Sequence, residues 1–210
     1  MPTNGVRPVD AAGLVLLREQ HGALEVLLGR RHARAGFLPD IYVFPGGRVE
    51  PEDSRGEALP LVPAVAAGLA RTSRRPASAF LKAAFRETME EAGLRLPASA
   101  AARVDFVCRA ITPTNSHRRY NTRFLLADGG ECIGQLGGDG ELEDLGWWPI
   151  VETARLNLVD VTAFVLAEAV RRRHAQIPPG EEPAVRYSYV GESVRIFRQP
   201  PSGVPPIGRP

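Results

Sequence analysis

Short apolar runs separated by polar turns dominate the first part of the chain. Residues 13–18 and 24–29 are mainly apolar, with Arg18 and Glu25 as the exceptions, and the sequence Glu-Gln-His-Gly lies between them. Two such runs around a short polar segment predict a β-hairpin. Residues 41–44 are a third apolar run and predict another strand, whereas the polar residues 1–10 are expected to form a loose arm.

The hydrophobic pattern takes a helical period between Pro76 and Gly93. At about 100° per residue, one side of this segment collects the residues suited to a buried face. They are Leu81, Ala84, Phe85, Thr88, Met89 and Ala92. The carboxylates of Glu87, Glu90 and Glu91 fall on the other side, within an arc of roughly 100°. Proline is tolerated in a first helical turn and glycine suits the left-handed position after the last, so these two residues are expected to bound the helix.

Further periodic segments complete the predicted elements. Strands are predicted at 104–111, at 117–126 and around the two tryptophans of residues 147–148, helices at 61–69 and 161–172, and a terminal hairpin at 187–190 and 194–197. The glycine-rich residues 129–140 predict a loop. Trp148 is expected in the core rather than against a substrate. We expect residues 1–210 to form a single domain, with a disordered tail at 200–210.

Composition narrows the class of protein. A chain of 210 residues with 44% hydrophobic content can bury a full core, and its net charge of +2 does not indicate a surface that binds nucleic acid or membranes. Two cysteines, Cys108 and Cys132, are too few for a disulfide scaffold. No apolar run reaches membrane-spanning length and no signal pattern opens the chain, so we expect a soluble, cytoplasmic protein.

The three carboxylates of the predicted helix require a positive partner. Arg86 can reach Glu90 one turn later, but one guanidinium does not balance three carboxylates. A hard divalent cation would balance them, because Mg²⁺ prefers oxygen ligands and keeps room for substrate phosphates. The rival interpretation is an ordinary solvated acidic face on a surface helix.

The segment upstream of this helix favours the metal. A Gly46-Gly47 turn follows the strand at 41–44, and glycines let the backbone come close to a ligand. Turn and helix together resemble the Nudix box, the loop–helix signature of Nudix hydrolases. The second half of that signature is matched from residue 86 to residue 94, except that Thr88 stands where an aliphatic residue is usual. In the first half, Asp53 replaces a glutamate.

One departure from the ordinary box is its length. Gly47 and Arg86 are 39 positions apart, because an insertion at about 54–77 interrupts the motif. This layout resembles the long-insert Nudix subfamily that includes a peroxisomal coenzyme A diphosphatase. The insertion could be a lid or a wall that selects the substrate, an oligomer contact that would make a homodimer, or tolerated surface.

The resemblance implies a fold and an activity. The expected fold is a Nudix-type α/β/α sandwich with a mixed sheet. The expected activity is Mg²⁺- or Mn²⁺-dependent hydrolysis of the diphosphate linkage of a nucleoside diphosphate derivative. Coenzyme A or an acyl derivative is the first candidate, and ADP-ribose or NADH is the next. A catalytically inactive Nudix sensor that only binds a nucleotide is the alternative, since Asp53 and the interrupted loop depart from the pattern.

The resemblance also implies roles for individual residues. Metal ligands would be Glu87, Glu90, Glu91 and the backbone carbonyl of Gly46, and Glu87 could instead be the general base. Arg86 would orient the carboxylates. An acidic stretch before the tryptophan strand often supplies a further ligand or base in this family. Glu141 is the first choice there and Glu143 the second.

Four arginines are candidates for contact with a small-molecule substrate. Arg30 and Arg34 lie close to the Gly46-Gly47 turn in sequence. Arg119 and Arg123 alternate with larger side chains on a predicted strand, in a stretch that resembles one of the long-insert subfamily. A guanidinium can grip a phosphate through two hydrogen bonds. Exposed arginines and structural ion pairs are the rival interpretations.

Overall fold

The core of the molecule is a mixed sheet with helices on both faces. The computed structural model describes residues 6–191 and 193–198. The strands are β1 (Val9–Gln20), β2 (Ala23–Arg31), β3 (Tyr42–Val43), β4 (Gly46–Arg48), β5 (Leu94–Arg95), β6 (Asp105–Ile111), β7 (Tyr120–Asp128), β8 (Ile133–Gly134), β9 (Leu142–Pro149), β10 (Val185–Val190) and β11 (Ser193–Phe197). The helices are α1 (Pro63–Ala70), α2 (Ala77–Ala92) and α3 (Asp160–His174).

Nine of the described strands belong to one sheet. Seven of them follow the order β11-β10-β6-β7-β1-β2-β3, while β4 pairs with β1 and β9 pairs with β2. The pairs β1–β7 and β6–β10 are parallel and the other pairs of this sheet are antiparallel. Strands β5 and β8 form a separate two-stranded ribbon. The mixed sheet that the sequence predicts is confirmed.

The central strand β1 explains how two cores are built on one sheet. Leu14 and Leu16 point into the cluster that contains helices α1 and α2, whereas Val15 and Leu17 point into the cluster that contains α3. All four side chains are buried. A strand buried on both faces appears in sequence as a continuous apolar run, as residues 13–17 do. The α/β/α sandwich is therefore confirmed.

Most predicted elements are present, with small shifts at their ends. The first hairpin turns at His21 and Gly22, both in the left-handed region with φ of 50° and 77°, as a tight two-residue turn requires. Val9 and Asp10 lie in β1 because they pair with β7, so the prediction of a loose arm through residue 10 is wrong for these two. The predicted tail at 200–210 lies outside the described residues.

The sheet divides where its two central strands diverge. Strand β1 pairs with β2 only from Leu17 to Gln20, and nearer its start it pairs with β4 from Ala11 to Gly13. Strand β2 meanwhile continues alongside β3 through Gly29 and Arg30. The segment that connects β3 to β4 passes across the gap between β1 and β2, and Gly46 lies beside this gap. A cleft opens at this point.

The insertion contributes to the core rather than to the cleft. Helix α1 lies inside it, as predicted, and Val65 and Leu69 join the buried cluster that contains Phe80 of α2. Among the described residues, none from 54–77 lines the cleft. A selecting wall is thus not supported, and a structural role is favoured. None of the described helices has the length and hydropathy to cross a membrane.

Candidate active site

The cleft has a volume of about 600 Å³ and combines acidic, basic and aromatic walls. Its acidic side chains include Glu87, Glu91 and Glu141, and its backbone wall includes the Gly46-Gly47 turn. Helix α2 supplies the first two glutamates, one turn apart, and the loop before β9 supplies the third. The helix begins after Pro76 and ends at Gly93, which has a φ of 68°. Both predicted helix boundaries are confirmed.

The glycine turn, whose Gly46 and Gly47 form the start of strand β4 in the structure, packs directly on the glutamates of α2. The backbone N–H of Gly46 donates a hydrogen bond of 2.8 Å to Glu91. A Cβ at Gly47 would lie only 2.3 Å from Oε1 of Glu87, so a larger residue would displace that carboxylate. A Cβ at Gly46 would lie 2.4 Å from the carbonyl oxygen of Ala12. Glycine is therefore required at both positions for turn and helix to meet.

Arg86 joins the two halves of the interrupted motif. Its guanidinium donates to Asp53 at 3.2 Å, to Glu87 at 2.7 Å and to Glu90 at 3.1 Å. It also donates to the backbone carbonyl of Arg48. Asp53 is buried and accepts a further hydrogen bond from the N–H of Glu50. The aspartate that replaces the glutamate of the signature thus holds Arg86 against the loop, in spite of the insertion.

The chain resembles a known protein over part of its length. No family model matches the chain. Over 95 residues it is 38% identical to the acyl-coenzyme A diphosphatase NUDT19 of Gallus gallus. This match spans 34% of this chain and 25% of that protein.

Solved structures match much more of the chain. A NUDIX hydrolase from Alicyclobacillus acidocaldarius has a TM-score of 0.59 at 23% identity, over 79% of this chain and 92% of that one. The NUDIX domain of Shewanella oneidensis NrtR, complexed with ADP ribose, has a TM-score of 0.54 at 15% identity, over 82% and 93% of the two chains. The chain has the Nudix hydrolase fold. The mixed sheet with helices on both faces is the architecture of this fold.

In this Nudix fold, the cleft glutamates are short of positive charge. Burial raises the pKa of Glu91 to about 8, against the lowering effect of the Gly46 hydrogen bond, and Glu141 and Glu87 raise it further. Burial also raises the pKa of Glu87, although Arg86 opposes the shift. Three carboxylates therefore influence one another inside one cleft. A cation placed among them would relieve this repulsion.

The chemistry of these donors fits a divalent metal. Carboxylate oxygens are the ligands that Mg²⁺ and Mn²⁺ prefer. Within residues 6–191 and 193–198, no three acidic, histidine or cysteine side chains converge closely enough to hold an ion without rearrangement. Glu87, Glu91 and Glu141 line the cleft, and their role as ligands stays a prediction. Glu90 is half-exposed, bonded to Arg86 and outside the cleft lining, so its role as a ligand stays a prediction, as does that of the Gly46 carbonyl.

Arg31 lines the cleft, whereas its neighbour Arg30, which the sequence predicts as a substrate contact, does not. Arg30 donates to Asp40 and Glu143, which are its ion-pair partners outside the cleft lining. Arg31 lies on the α2 side of β2, as Leu27 does, and lines the cleft. Period-two alternation along β2 could have identified it, once Leu27 was known to face the catalytic helix.

Arg34 and Arg119 do not line the cleft either. The side chain of Arg34 is exposed. Arg119 donates to the backbone carbonyls of Thr112 and Val6, at 3.2 Å and 2.9 Å, and so fixes the start of β1 beside the loop before β7. The adjacent Arg118 lines the cleft instead. The predictions for these two arginines are not supported.

Arg123 is a structural residue, and the prediction that it contacts substrate is wrong. Its side chain is 0% exposed. It donates to Asp10 at 2.6 Å and to the hydroxyl and carbonyl oxygens of Thr72, and its guanidinium lies 4.4 Å from the ring centroid of Phe80. Arg123 faces the α2 side of the sheet and ties the end of the insertion to β1 and β7.

Trp148 is partly buried and packs against the core on the α3 side of the sheet, in agreement with the prediction that it does not stack on a substrate. Its ring packs edge-to-face on Tyr42, with centroids 5.5 Å apart, and it does not line the cleft. The aromatic residues of the cleft are others, namely Phe37, Phe44, Tyr120, Phe124 and Tyr189.

Asp53 provides a test of the Arg86 anchor. Asp53→Ala should lower kcat at least about tenfold, because small displacements of catalytic groups have large costs. KM should change much less. Asp53→Glu, which restores the residue type of the signature, should retain most of the activity. Steady-state kinetics with melting temperatures measures this, and a folded Asp53→Ala with unchanged kcat would show that the anchor is dispensable.

Proposed function

We propose that this protein is a Mg²⁺- or Mn²⁺-dependent hydrolase that cleaves the diphosphate linkage of a nucleoside diphosphate derivative. Coenzyme A or an acyl-coenzyme A is the first candidate substrate, followed by ADP-ribose and NADH. The observation that carries the proposal is the cleft in which Glu87, Glu91 and Glu141 lie beside the Gly46-Gly47 turn. Arg86 holds this arrangement together through Asp53.

The site suits phosphoryl chemistry, which depends mainly on positioning and on neutralising charge. A bound divalent cation would supply charge neutralisation and a water of lowered pKa. The chain's own residues supply the rest. Glu87 and Glu91 would hold the cation, Arg86 fixes Glu87 in place, and Arg31 lines the same cleft as a cation for the substrate. Glu141, held by Arg31 at 3.2 Å, would complete the ligand set or accept a proton.

Two relatives and the size of the cleft support the choice of substrate. The matched segment of the chicken relative belongs to a protein named an acyl-coenzyme A diphosphatase, and the NrtR domain was solved with ADP ribose. A cleft of about 600 Å³ with several aromatic walls has the size and character of a site for a nucleotide-sized ligand.

Metal dependence and substrate class are tested in one panel. Coenzyme A, acetyl-coenzyme A, ADP-ribose and NADH are incubated with the protein and Mg²⁺ or Mn²⁺, and the released products are separated by chromatography. These are adenosine 3′,5′-bisphosphate from the two coenzyme A compounds and AMP from ADP-ribose and NADH. We expect turnover of at least one compound. A chelator should abolish it, and excess Mg²⁺ should restore it. Binding of these compounds without turnover would overturn the proposal and favour the nucleotide sensor.

A further inference from the structure

The three arginines that line the cleft differ in their partners. Arg31 donates to Glu141 and to the carbonyl oxygen of Phe37. Arg48 belongs to β4, directly after the glycine turn, and its carbonyl accepts from Arg86. Arg118 lies on the loop before β7. Within the described part of the chain, no carboxylate lies within ion-pair distance of Arg118. Its charge is available to a ligand.

The position of Arg118 is defined by packing against a second loop. A Cβ at Gly36 would lie 3.2 Å from both terminal nitrogens of the guanidinium and 3.3 Å from its central carbon. Glycine therefore lets the guanidinium lie directly on the loop between β2 and β3. The next residue of that loop, Phe37, packs edge-to-face on Tyr120, with centroids 5.2 Å apart. The two loops thus form one wall of the cleft.

This wall is cationic and aromatic, and neither of its loops places a carboxylate in the cleft. Besides the arginine, it presents the hydroxyl-bearing Ser116 and the rings of Phe37 and Tyr120. Another part of the cleft has the opposite character. Asp160 lines it and accepts hydrogen bonds from Tyr187 and Tyr189. A second anionic group of a substrate would be repelled by Asp160 and attracted by Arg118.

We propose that Arg118 is a specificity-determining residue that binds a phosphomonoester on the ribose of the substrate. The inference rests on the proposed function, in which the diphosphate occupies the glutamate wall. The Arg118 wall would then face another part of the same molecule. A planar guanidinium can donate two parallel hydrogen bonds to a phosphate, which an ammonium does less well. The phosphate can be a 3′-phosphate, as in coenzyme A, or a 2′-phosphate, as in NADPH.

Pairs of compounds that differ by this one phosphate test the proposal. Coenzyme A is compared with 3′-dephospho-coenzyme A, and NADPH with NADH. The wild type should prefer the phosphorylated member of one pair by at least about tenfold in kcat/KM, mainly through KM. The pair that shows this preference identifies the position of the phosphate.

Variants connect the preference to the residue. In Arg118→Gln the ratio within that pair should fall to about one, mainly because kcat/KM for the phosphorylated member falls. Arg118→Lys should keep part of the preference. Arg95→Gln is the matched control, because Arg95 is exposed on β5 and outside the cleft lining. It should leave the ratio unchanged. A wild-type ratio near one for both pairs, or a preference that survives Arg118→Gln, would overturn the inference.

A binding measurement separates this inference from the proposed hydrolysis. Thermal stabilisation by adenosine 3′,5′-bisphosphate and by adenosine 2′,5′-bisphosphate is compared with stabilisation by AMP, with no metal added. One bisphosphate should bind at least about tenfold more tightly than AMP, and Arg118→Gln should remove the difference. If this holds while no compound is hydrolysed, the proposed function fails and Arg118 keeps its role. If hydrolysis occurs without any bisphosphate preference, the role of Arg118 is overturned and the proposed function remains.

Discussion

Glu91→Gln is expected to lower kcat at least about 100-fold while the protein stays folded. Glu91 is a buried carboxylate in the cleft, and its charge is needed to hold a cation. Glutamine keeps an oxygen that can accept the 2.8 Å hydrogen bond from Gly46, so the turn should remain on the helix. The measurement is kcat at saturating substrate and Mg²⁺, together with a melting curve.

Glu57→Gln is the matched control for Glu91→Gln. Glu57 is exposed in the insertion and lies outside the cleft lining, so the same loss of one charge should leave kcat unchanged. Glu90→Gln is the informative comparison. The motif predicts that Glu90 is a ligand and that kcat falls as far as in Glu91→Gln. A loss of only a few fold would instead indicate that Glu90 acts by holding Arg86. Near wild-type turnover in a folded Glu91→Gln would show that α2 does not provide the metal site.

Leu69→Ala is expected to lower the melting temperature without changing substrate preference. Leu69 is 0% exposed and joins α1 of the insertion to the core beside α2. Truncating a fully buried leucine costs about 2–5 kcal/mol of the free energy of unfolding, which corresponds to roughly 5–15 °C for a protein of this size. Thermal denaturation measures the melting temperature. The ratio of kcat/KM between coenzyme A and ADP-ribose measures the substrate preference.

The same substitution at an exposed leucine is the control. Leu136 is 43% exposed, and Leu136→Ala should change the free energy of unfolding by no more than about 0.5 kcal/mol. A small stability change in Leu69→Ala, combined with an altered preference between coenzyme A and ADP-ribose, would contradict the structural role. That result would indicate that the insertion is a lid or a wall that selects the substrate.

The elements with strong periodicity could be predicted from the sequence. Helix α2 has a clear helical period, a proline before it and a glycine after it, and local chemistry alone decides such boundaries. The first hairpin likewise follows from two apolar runs around His21 and Gly22. Helical spacing also places Glu87 and Glu91 one turn apart on the side of the cleft. It does not fix the exposure of each position, because Met89, expected on the buried face, is 50% exposed.

The arginines could not be placed in the same way. Alternation along a strand divides residues between two faces, but it does not say which face borders the cleft. Arg30 and Arg31 differ by one position, yet only Arg31 lines the cleft. Arg123 is buried because the insertion folds back on β7, and this contact joins residues far apart in sequence.

The partnership of Asp53 with Arg86 was hidden by the insertion for the same reason. Thirty-odd residues separate the two, and nothing local in the sequence indicates that they meet. The carboxylate of Asp53 lies within 3.2 Å of the Arg86 guanidinium because α2 packs against the glycine turn in the folded protein. Long-range contacts of this kind determine the roles of side chains at this site.

Titration of Mn²⁺ into the wild type, Glu91→Gln and Glu57→Gln tests the central claim most directly, because it measures the metal site without assuming a substrate. Calorimetry or electron paramagnetic resonance gives the dissociation constant. We expect the wild type and Glu57→Gln to bind Mn²⁺ equally well, and Glu91→Gln to bind it at least about tenfold more weakly. Equal binding by all three proteins, or no binding by the wild type, would contradict a metal centre on α2.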